Sequence, residues 1–375
     1  MDRTTQLALL DRIMAHRQAG AGTDTAPASM RVPVADYASV ARLAAERRLL
    51  RTVPTLAALS GLVPDTGSYA TVDLGDASVI VTRAGDGEVR AMLNVCRHRG
   101  AQVASGCGRA ARLVCPYHGW TYHLDGRSAS RRRGEYFDDL PCEDLVRLPV
   151  LEQDGLIWVS GDPQGSIGDR PLHGAEAELG PLDLARYRLF AATAFTRRFN
   201  WKLAVDTFCE AYHVPALHRD TLRPMIHGDY ALFNAFGPHG RMVATRRSIV
   251  ELDLRDRSDW SLLPHATILW FLVPNTVLIY QQDHVQLYQS RPGATVDEAH
   301  LSVALYVPRA STRSDEHWQR NFDLLVEVTD REDFATVAGV QRGFAAAAQD
   351  HLVFGRNEPG LQHFHAALQG LLGAY

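Results

Sequence analysis

Hydrophobic spacing divides the chain before any chemistry is considered. Leu7, Leu10, Ile13 and Met14 recur at helical intervals and predict an amphipathic helix over residues 3–17. A loose Gly/Ala/Thr stretch (19–29) follows, and a second helix is expected over 36–51. From Gly67 the period shortens. Residues 69–74, 79–83 and 89–95 alternate and carry β-branched side chains, with Gly85-Asp86-Gly87 supplying a turn. Residues 120–124 and 156–160 complete a small all-β unit, with Asp125-Gly126 as a hairpin turn and Gly161-Asp162-Pro163-Gln164-Gly165 as a linker. Further strands are expected over 190–199, 241–252, 267–281, 284–290 and 301–307. A helix over 200–214, ended by Pro215, and a long helix from about 330 to 349 complete the pattern. Strands and helices segregated in this order read as α+β.

Composition narrows the class. The chain has 375 residues, 46% hydrophobic and 22% charged, which suits a soluble globular protein of two domains. Three segments are expected: a helical segment over 1–45 packing on the C-terminal domain, a β domain over 46–160, and a second domain over 161–375. The net charge of -4 gives no footprint for nucleic acid, and Arg131-Arg132-Arg133 reads as a solvated loop. No run of 18 apolar residues predicts a membrane span, and the N-terminus lacks the apolar core of a signal peptide. The five cysteines do not suggest a disulfide framework, so a cytoplasmic location is expected.

The stretch from Cys96 to Trp120 carries the most specific signal. Cys96-Arg97-His98 is followed after sixteen residues by Cys115-Pro116-Tyr117-His118-Gly119-Trp120. Two mixed Cys-His pairs suit a [2Fe–2S] cluster with two thiolates on one iron and two imidazoles on the other. Structural zinc is the alternative, but its ligands usually come as C-x2-4-C and H-x3-5-H rather than as mixed pairs. These residues resemble the Rieske centre of the Rieske non-haem iron oxygenases of the aromatic-ring-hydroxylating type, in their α (terminal oxygenase) subunit. Respiratory Rieske proteins add a disulfide whose cysteines would fall at Ala101 and Tyr117, and its absence favours the oxygenase branch.

Within 200–214, Asp206, Glu210 and His213 fall at i, i+4 and i+7 among large apolar residues, which would place them on one helical face. Ionisable groups in such surroundings are costly unless they pair or bind metal. His213 and His218 lie roughly 140° apart on an ideal helix, so they converge only if Pro215 breaks it. Glu210-x-Tyr212-His213-x4-His218 is similar to the second motif of the same family. The resemblance implies that His213 and His218 are two ligands of a mononuclear Fe(II), and that Glu210 is a carboxylate bridging to the Rieske histidine of a neighbouring subunit. Asp206 stands where many members have Asn, and its catalytic part is left open. The resemblance, which puts a ligand Asp in a Glu-Asp pair shortly ahead of a Gln such as Gln341, implies Asp333 as the third ligand of a 2-His-1-carboxylate set, with Glu332 and Asp330 as alternatives, in a segment where Thr329 and Glu332 also have capping-box spacing.

The resemblance further implies an N-terminal Rieske domain and a C-terminal helix-grip catalytic domain, assembled as a homotrimer or an α3β3 hexamer. No G-x-G-x-x-G follows a strand and no second cysteine cluster exists. Electrons are therefore expected from NAD(P)H through a separate reductase, possibly with a ferredoxin. The implied reaction is hydroxylation, dihydroxylation or oxidative demethylation of a small aromatic or alicyclic substrate with O2. Leu269, Phe271, Ile279, Leu287 and Tyr288 are candidate pocket residues, although alternation does not say which face is inward. A protein that only transfers electrons is the competing reading, but it leaves residues 161–375 without a task.

Overall fold

The computed structural model describes residues 1–20 and 22–373, and within them the chain forms two compact units. One unit comprises residues 47–171 and 183–188, the other residues 1–46, 172–182 and 189–375.

The 47–171 unit is built on antiparallel sheets. A five-stranded sheet runs in the order Arg147–Leu148, Val89–Leu93, Ala77–Arg83, Ser68–Leu74, Cys107–Arg109. Its central strand shows why these residues fold this way. Val79 and Val81 point to one face and Ile80 to the other, and all three are fully buried. Val79 and Val81 meet Ile157 and Val159 of a three-stranded sheet, while Ile80 packs with Met92, Leu113, Trp120 and Tyr122. Each such side chain contributes about 1.5–3 kcal/mol by leaving water. The second cluster includes Cys96 and Cys115, so the loops that carry the Cys-His pairs are rooted in the core.

The other unit is built on a seven-stranded antiparallel sheet. Its order is Tyr187–Arg197, Ala299–Pro308, His284–Pro292, Thr276–Gln281, Ala266–Leu272, His239–Arg246, Ile226–Phe236. Helices and a sheet in separate runs make the expected α+β architecture. Helix Arg3–Ala19 packs on the strand Ile226–Phe236, and helix Pro359–Gly373 on the strand His239–Arg246.

Four expected elements are corrected. The strand expected over 267–281 is a hairpin of two, because Pro274 lacks the N–H a ladder needs and the chain turns at 273–275. The strand expected over 241–252 ends at Arg246 and continues as the 3-10 segment Arg247–Leu254. The helix expected over 200–214 stops at Asp206, and the next helical turn is Val214–Leu217. Between them the Glu210 carboxylate accepts the backbone N–H groups of Tyr212 and His213, which replaces the regular helical partners. The long helix does not start near residue 330. It begins at Asp315, capped by Ser314, runs to Val326, passes through a π-helical segment Glu327–Phe334 and resumes as Ala335–Ala345. Thr329 is therefore a buried residue inside a helix rather than a cap.

Candidate functional site

The two Cys-His loops share one construction. Cys96 N–H donates to Ala101 O (2.8 Å) and Gly100 N–H to Cys96 O (2.9 Å). Likewise Cys115 N–H donates to Trp120 O (2.8 Å) and Gly119 N–H to Cys115 O (3.0 Å). Each turn closes only because its glycine takes a left-handed conformation, φ 76° at Gly100 and 75° at Gly119. Both thiols are buried and both imidazoles are half-buried. His98 Nδ1 and His118 Nδ1 face each other at 3.1 Å, and Trp120 stacks on the His98 ring at 4.8 Å and 8°. Burial raises the Cys115 thiol pKa, with Cys96 adding to the shift, so neutral thiols are favoured unless a cation stabilises the thiolates. Desolvation, then the neighbouring His118, lowers the His98 pKa, and a neutral imidazole is the form that binds metal. Tyr122 OH accepts Arg97 N–H (3.0 Å) and lies 3.4 Å from Cys96 Sγ. Two buried thiols and two facing imidazole nitrogens fit the donor set of a Rieske cluster.

A second convergence lies in the seven-stranded unit. His213, His218 and Asp333 offer ligand atoms all within 4.8 Å of one another. His213 hydrogen-bonds Glu210 through Nδ1, and His218 hydrogen-bonds Glu332 through Nδ1, a carboxylate that Thr221 Oγ1 also holds at 2.8 Å. Each imidazole thus carries its proton on Nδ1 and presents a bare Nε2. Both Nε2 atoms face Asp333 Oδ1, at 3.7 Å from His213 and 3.1 Å from His218. Neither contact has hydrogen-bond geometry, and Asp333 Oδ1 is buried without a partner. Two imidazole nitrogens and a carboxylate oxygen aimed at one point call for a positive charge between them, a proton or a metal ion, and the donor set fits a mononuclear metal. Burial works to lower the pKa of each histidine, but Glu210 at His213 and Asp333 at His218 outweigh it, and both are raised. The π segment matters here because its wider turn lets consecutive residues, Glu332 and Asp333, reach opposite nitrogens of one imidazole.

Above these three residues opens a cavity of about 280 Å³. Cross-strand neighbours line it in rows: Met242, Leu269, Ile279 and Gln286, then Ala244, Thr267, Gln281 and His284. Leu325 and Val328 of the long helix close the opposite side. Leu269, Ile279 and Tyr288 of the candidate pocket residues line this cavity, whereas Phe271 and Leu287 do not. Leu287 points to the other face of the sheet, paired with Leu278 and Ala304. Phe271 is on the same face, but it fills the space left by the missing side chain of Gly240 and stacks on Phe233.

Comparison with known proteins agrees with both centres. The Rieske [2Fe-2S] domain family matches residues 55–142, and the Ring hydroxylating alpha subunit (catalytic domain) family matches residues 184–374. The chain belongs to the ring-hydroxylating alpha-subunit family. Membership brings a Rieske [2Fe–2S] cluster and a mononuclear iron as its cofactors. This alpha subunit is 36% identical over 170 residues to the glycine betaine monooxygenase oxygenase subunit of Chromohalobacter salexigens, covering 44% of this chain and 38% of that one. It is 31% identical over 196 residues to the putrescine 2-hydroxylase of Ralstonia nicotianae, covering 51% and 50%. The matches thus span half or less of these relatives' length. Among solved structures, the quaternary ammonium Rieske monooxygenase CntA with an inhibitor gives a TM-score of 0.79 at 21% identity, covering 92% of this chain and 96% of that one. Naphthalene 1,2-dioxygenase from Rhodococcus sp. bound to indole gives 0.74 at 20% identity, covering 100% and 99%. At such identity these two show a shared fold.

In this alpha subunit Asp206 does not join the metal-facing group. It accepts from Tyr37 OH (2.7 Å) and pairs with His365 Nε2 (2.9 Å), tying the segment before Glu210 to the C-terminal helix. Glu332 proves to hold His218 in orientation, and Asp330 pairs with Arg197. Sequence reasoning missed the contributions of Tyr37 and His365, and nothing in their local spacing marks them. All five cysteines are free, and among the described residues no helix is long and apolar enough to cross a membrane.

Proposed function

We propose that this chain is the terminal oxygenase component of a multicomponent system that oxidises a small organic molecule with O2. The observation that carries the reading is the buried, unpartnered Asp333 Oδ1 facing two imidazole nitrogens, all three residues lining one cavity. In this reading His213, His218 and Asp333 hold the mononuclear iron, and Cys96, His98, Cys115 and His118 hold the cluster. When bound, the iron supplies the site of dioxygen reduction and the cluster a one-electron store. The chain's own residues orient and exclude. Glu210 and Glu332 fix the tautomer and direction of the two imidazoles, as carboxylates do behind metal-bound histidines. Met242, Leu269, Ile279, Leu325 and Val328 keep water from the cavity and seat an apolar substrate body.

Electrons come from NAD(P)H through a separate reductase, with or without a ferredoxin. Glu210 occupies the place of the family's inter-subunit bridge, which supports a trimeric assembly, α3 or α3β3, located in the cytoplasm. The relatives' names support oxidation of amine-bearing or aromatic small molecules. Two measurements on purified protein test the proposal: iron per chain, and reductant-coupled O2 uptake with a panel of small organic substrates. About three irons per chain and substrate-dependent uptake are expected. About two irons and no uptake would instead leave a protein that only transfers electrons.

A further inference from the structure

One charged group in the cavity is unexplained by the metal centre. On the strand His239–Arg246, Met242, Ala244 and Arg246 alternate onto the cavity face. The Arg246 guanidinium is partly buried there. Its Nη2 donates to Gln281 Oε1 at 2.6 Å, and Thr267 Oγ1 donates to the same oxygen at 2.9 Å, which fixes the fork. Its Nε–H is buried with no partner. Among the described residues no carboxylate lies within ion-pair distance of it. Asp283 acts on it only at longer range, and its own oxygens are engaged by His284 Nδ1 at 2.9 Å and His317 Nε2 at 3.0 Å. A guanidinium keeps its charge under these conditions, and a buried donor left unmade is costly. The Arg246 guanidinium lines the cavity without a carboxylate partner among the described residues, so its charge there lacks a counter-ion.

We infer that Arg246 receives a carboxylate of the substrate, so that the cavity takes an amphiphilic acid rather than a cationic molecule. This rests on the oxygenase reading of the same cavity. The apolar body lies along Met242, Ala244, Leu269 and Ile279 toward the metal-facing residues, and the carboxylate meets the part of the guanidinium that lines the cavity. Paired N–H groups of a planar guanidinium match the two oxygens of a carboxylate. Gln281 positions the guanidinium. A quaternary ammonium, as in the name of the CntA neighbour, finds no free carboxylate at this end among the described residues and meets a like charge instead.

The test is anaerobic calorimetry of the holoenzyme with phenylacetate, cyclohexylacetate and hexanoate, each against its own primary amide, and with choline. At least one acid is expected to bind about 10- to 100-fold more tightly than its amide, the worth of a hydrogen bond to a charged group. Arg246→Gln removes that ratio. Arg246→Lys recovers part of it, because charge remains and the planar fork does not. Iron content and cluster absorption are measured on both variants. The inference is overturned if no acid binds more tightly than its amide, if choline binds more tightly than every acid, or if Arg246→Gln keeps the ratio. The panel on the unaltered protein decides even where a variant does not fold. Acids bound through Arg246 without any O2 uptake would reject the oxygenase reading alone, and O2 uptake driven by choline without acid preference would reject this inference alone.

Discussion

At His218 two carboxylates from adjacent residues divide the work of one imidazole. Glu332 takes the proton side, Nδ1, while Asp333 faces the bare Nε2 at 3.1 Å. Removing either has a distinct consequence. In the proposed reading Asp333→Asn takes away a charged ligand, whereas Glu332→Ala leaves His213, His218 and Asp333 in place but frees His218 to rotate or change tautomer. Glu332→Ala is expected to weaken mononuclear iron binding by about 10- to 100-fold, with the cluster's visible absorption unchanged. Equal iron affinity in titration of the variant would reject the orienting role. His213→Ala is expected to lower iron from about three to about two per chain while cluster absorption persists, since the cluster loops belong to the other compact unit. Loss of that absorption would mean that the two ligand sets are wrongly divided. The two Cys-His pairs were legible because so few chemistries use that combination. Asp333 was reached only with Glu332 and Asp330 still open, because three acids in four positions look alike until their neighbours are known.

Elements set which side chains can meet. A regular helix from 200 to 214 would have put Asp206, Glu210 and His213 on one face, yet only Glu210 and His213 work together. Glu210 unwinds the segment by capping two N–H groups, and the strand at Gly228 packs so closely on Pro215 that a Cβ there would stand 2.6 Å from its ring. No periodicity argument sees that contact. The π segment is equally hidden, since one extra residue in a turn leaves the hydrophobic spacing almost unchanged. The Rieske loops make the opposite case, where a local rule suffices. Gly119 has φ 75°, and its nearest neighbour beyond the loop, Arg132 Cδ, would lie 3.8 Å from an added Cβ. The cost of Gly119→Ala is therefore backbone strain alone, about 1–2 kcal/mol. Thermal scans followed at the cluster's absorption should show Gly119→Ala melting below Gly119→Asn, because Asn tolerates that conformation. The reverse order would show that crowding rather than strain matters at this turn.

On the scale of the molecule, two compact units carry two metal chemistries, and their stabilities should respond to different treatments. In the 47–171 unit, Arg83 grips Glu152 with two hydrogen bonds, 2.6 and 2.9 Å, and Ser60 adds a third. Burial pushes the Glu152 pKa up, but Arg83 and Ser60 prevail and hold it below the ordinary 4.5. The stabilisation is thus complete above pH 4.5 and is lost as pH falls through the lowered value. Glu152→Gln should destabilise this unit by about 1–2 kcal/mol at pH 7, with the gap to the unaltered protein closing in acid. A gap independent of pH would assign the effect to packing. Removing the mononuclear iron with a chelator should lower the melting temperature of the other unit while the cluster's absorption stays, because a ligand bound only by the folded state stabilises it.

The sequence by itself determined the donor chemistry, the two-part α+β plan and most strands of the antiparallel sheets. Those features depend on residue type and on neighbours a few positions away, where spacing and side-chain chemistry act directly. Tertiary structure decided which acid lies beside the two histidines, which pocket candidates line the cavity, and that Arg246 stands in it without a carboxylate partner among the described residues. Each of those outcomes requires residues far apart in the chain to meet: His218 and Glu332 are separated by 114 positions, and Arg246 and Gln281 by 35. The long helix brings Glu332 to His218, and strand pairing within the seven-stranded sheet brings Gln281 to Arg246.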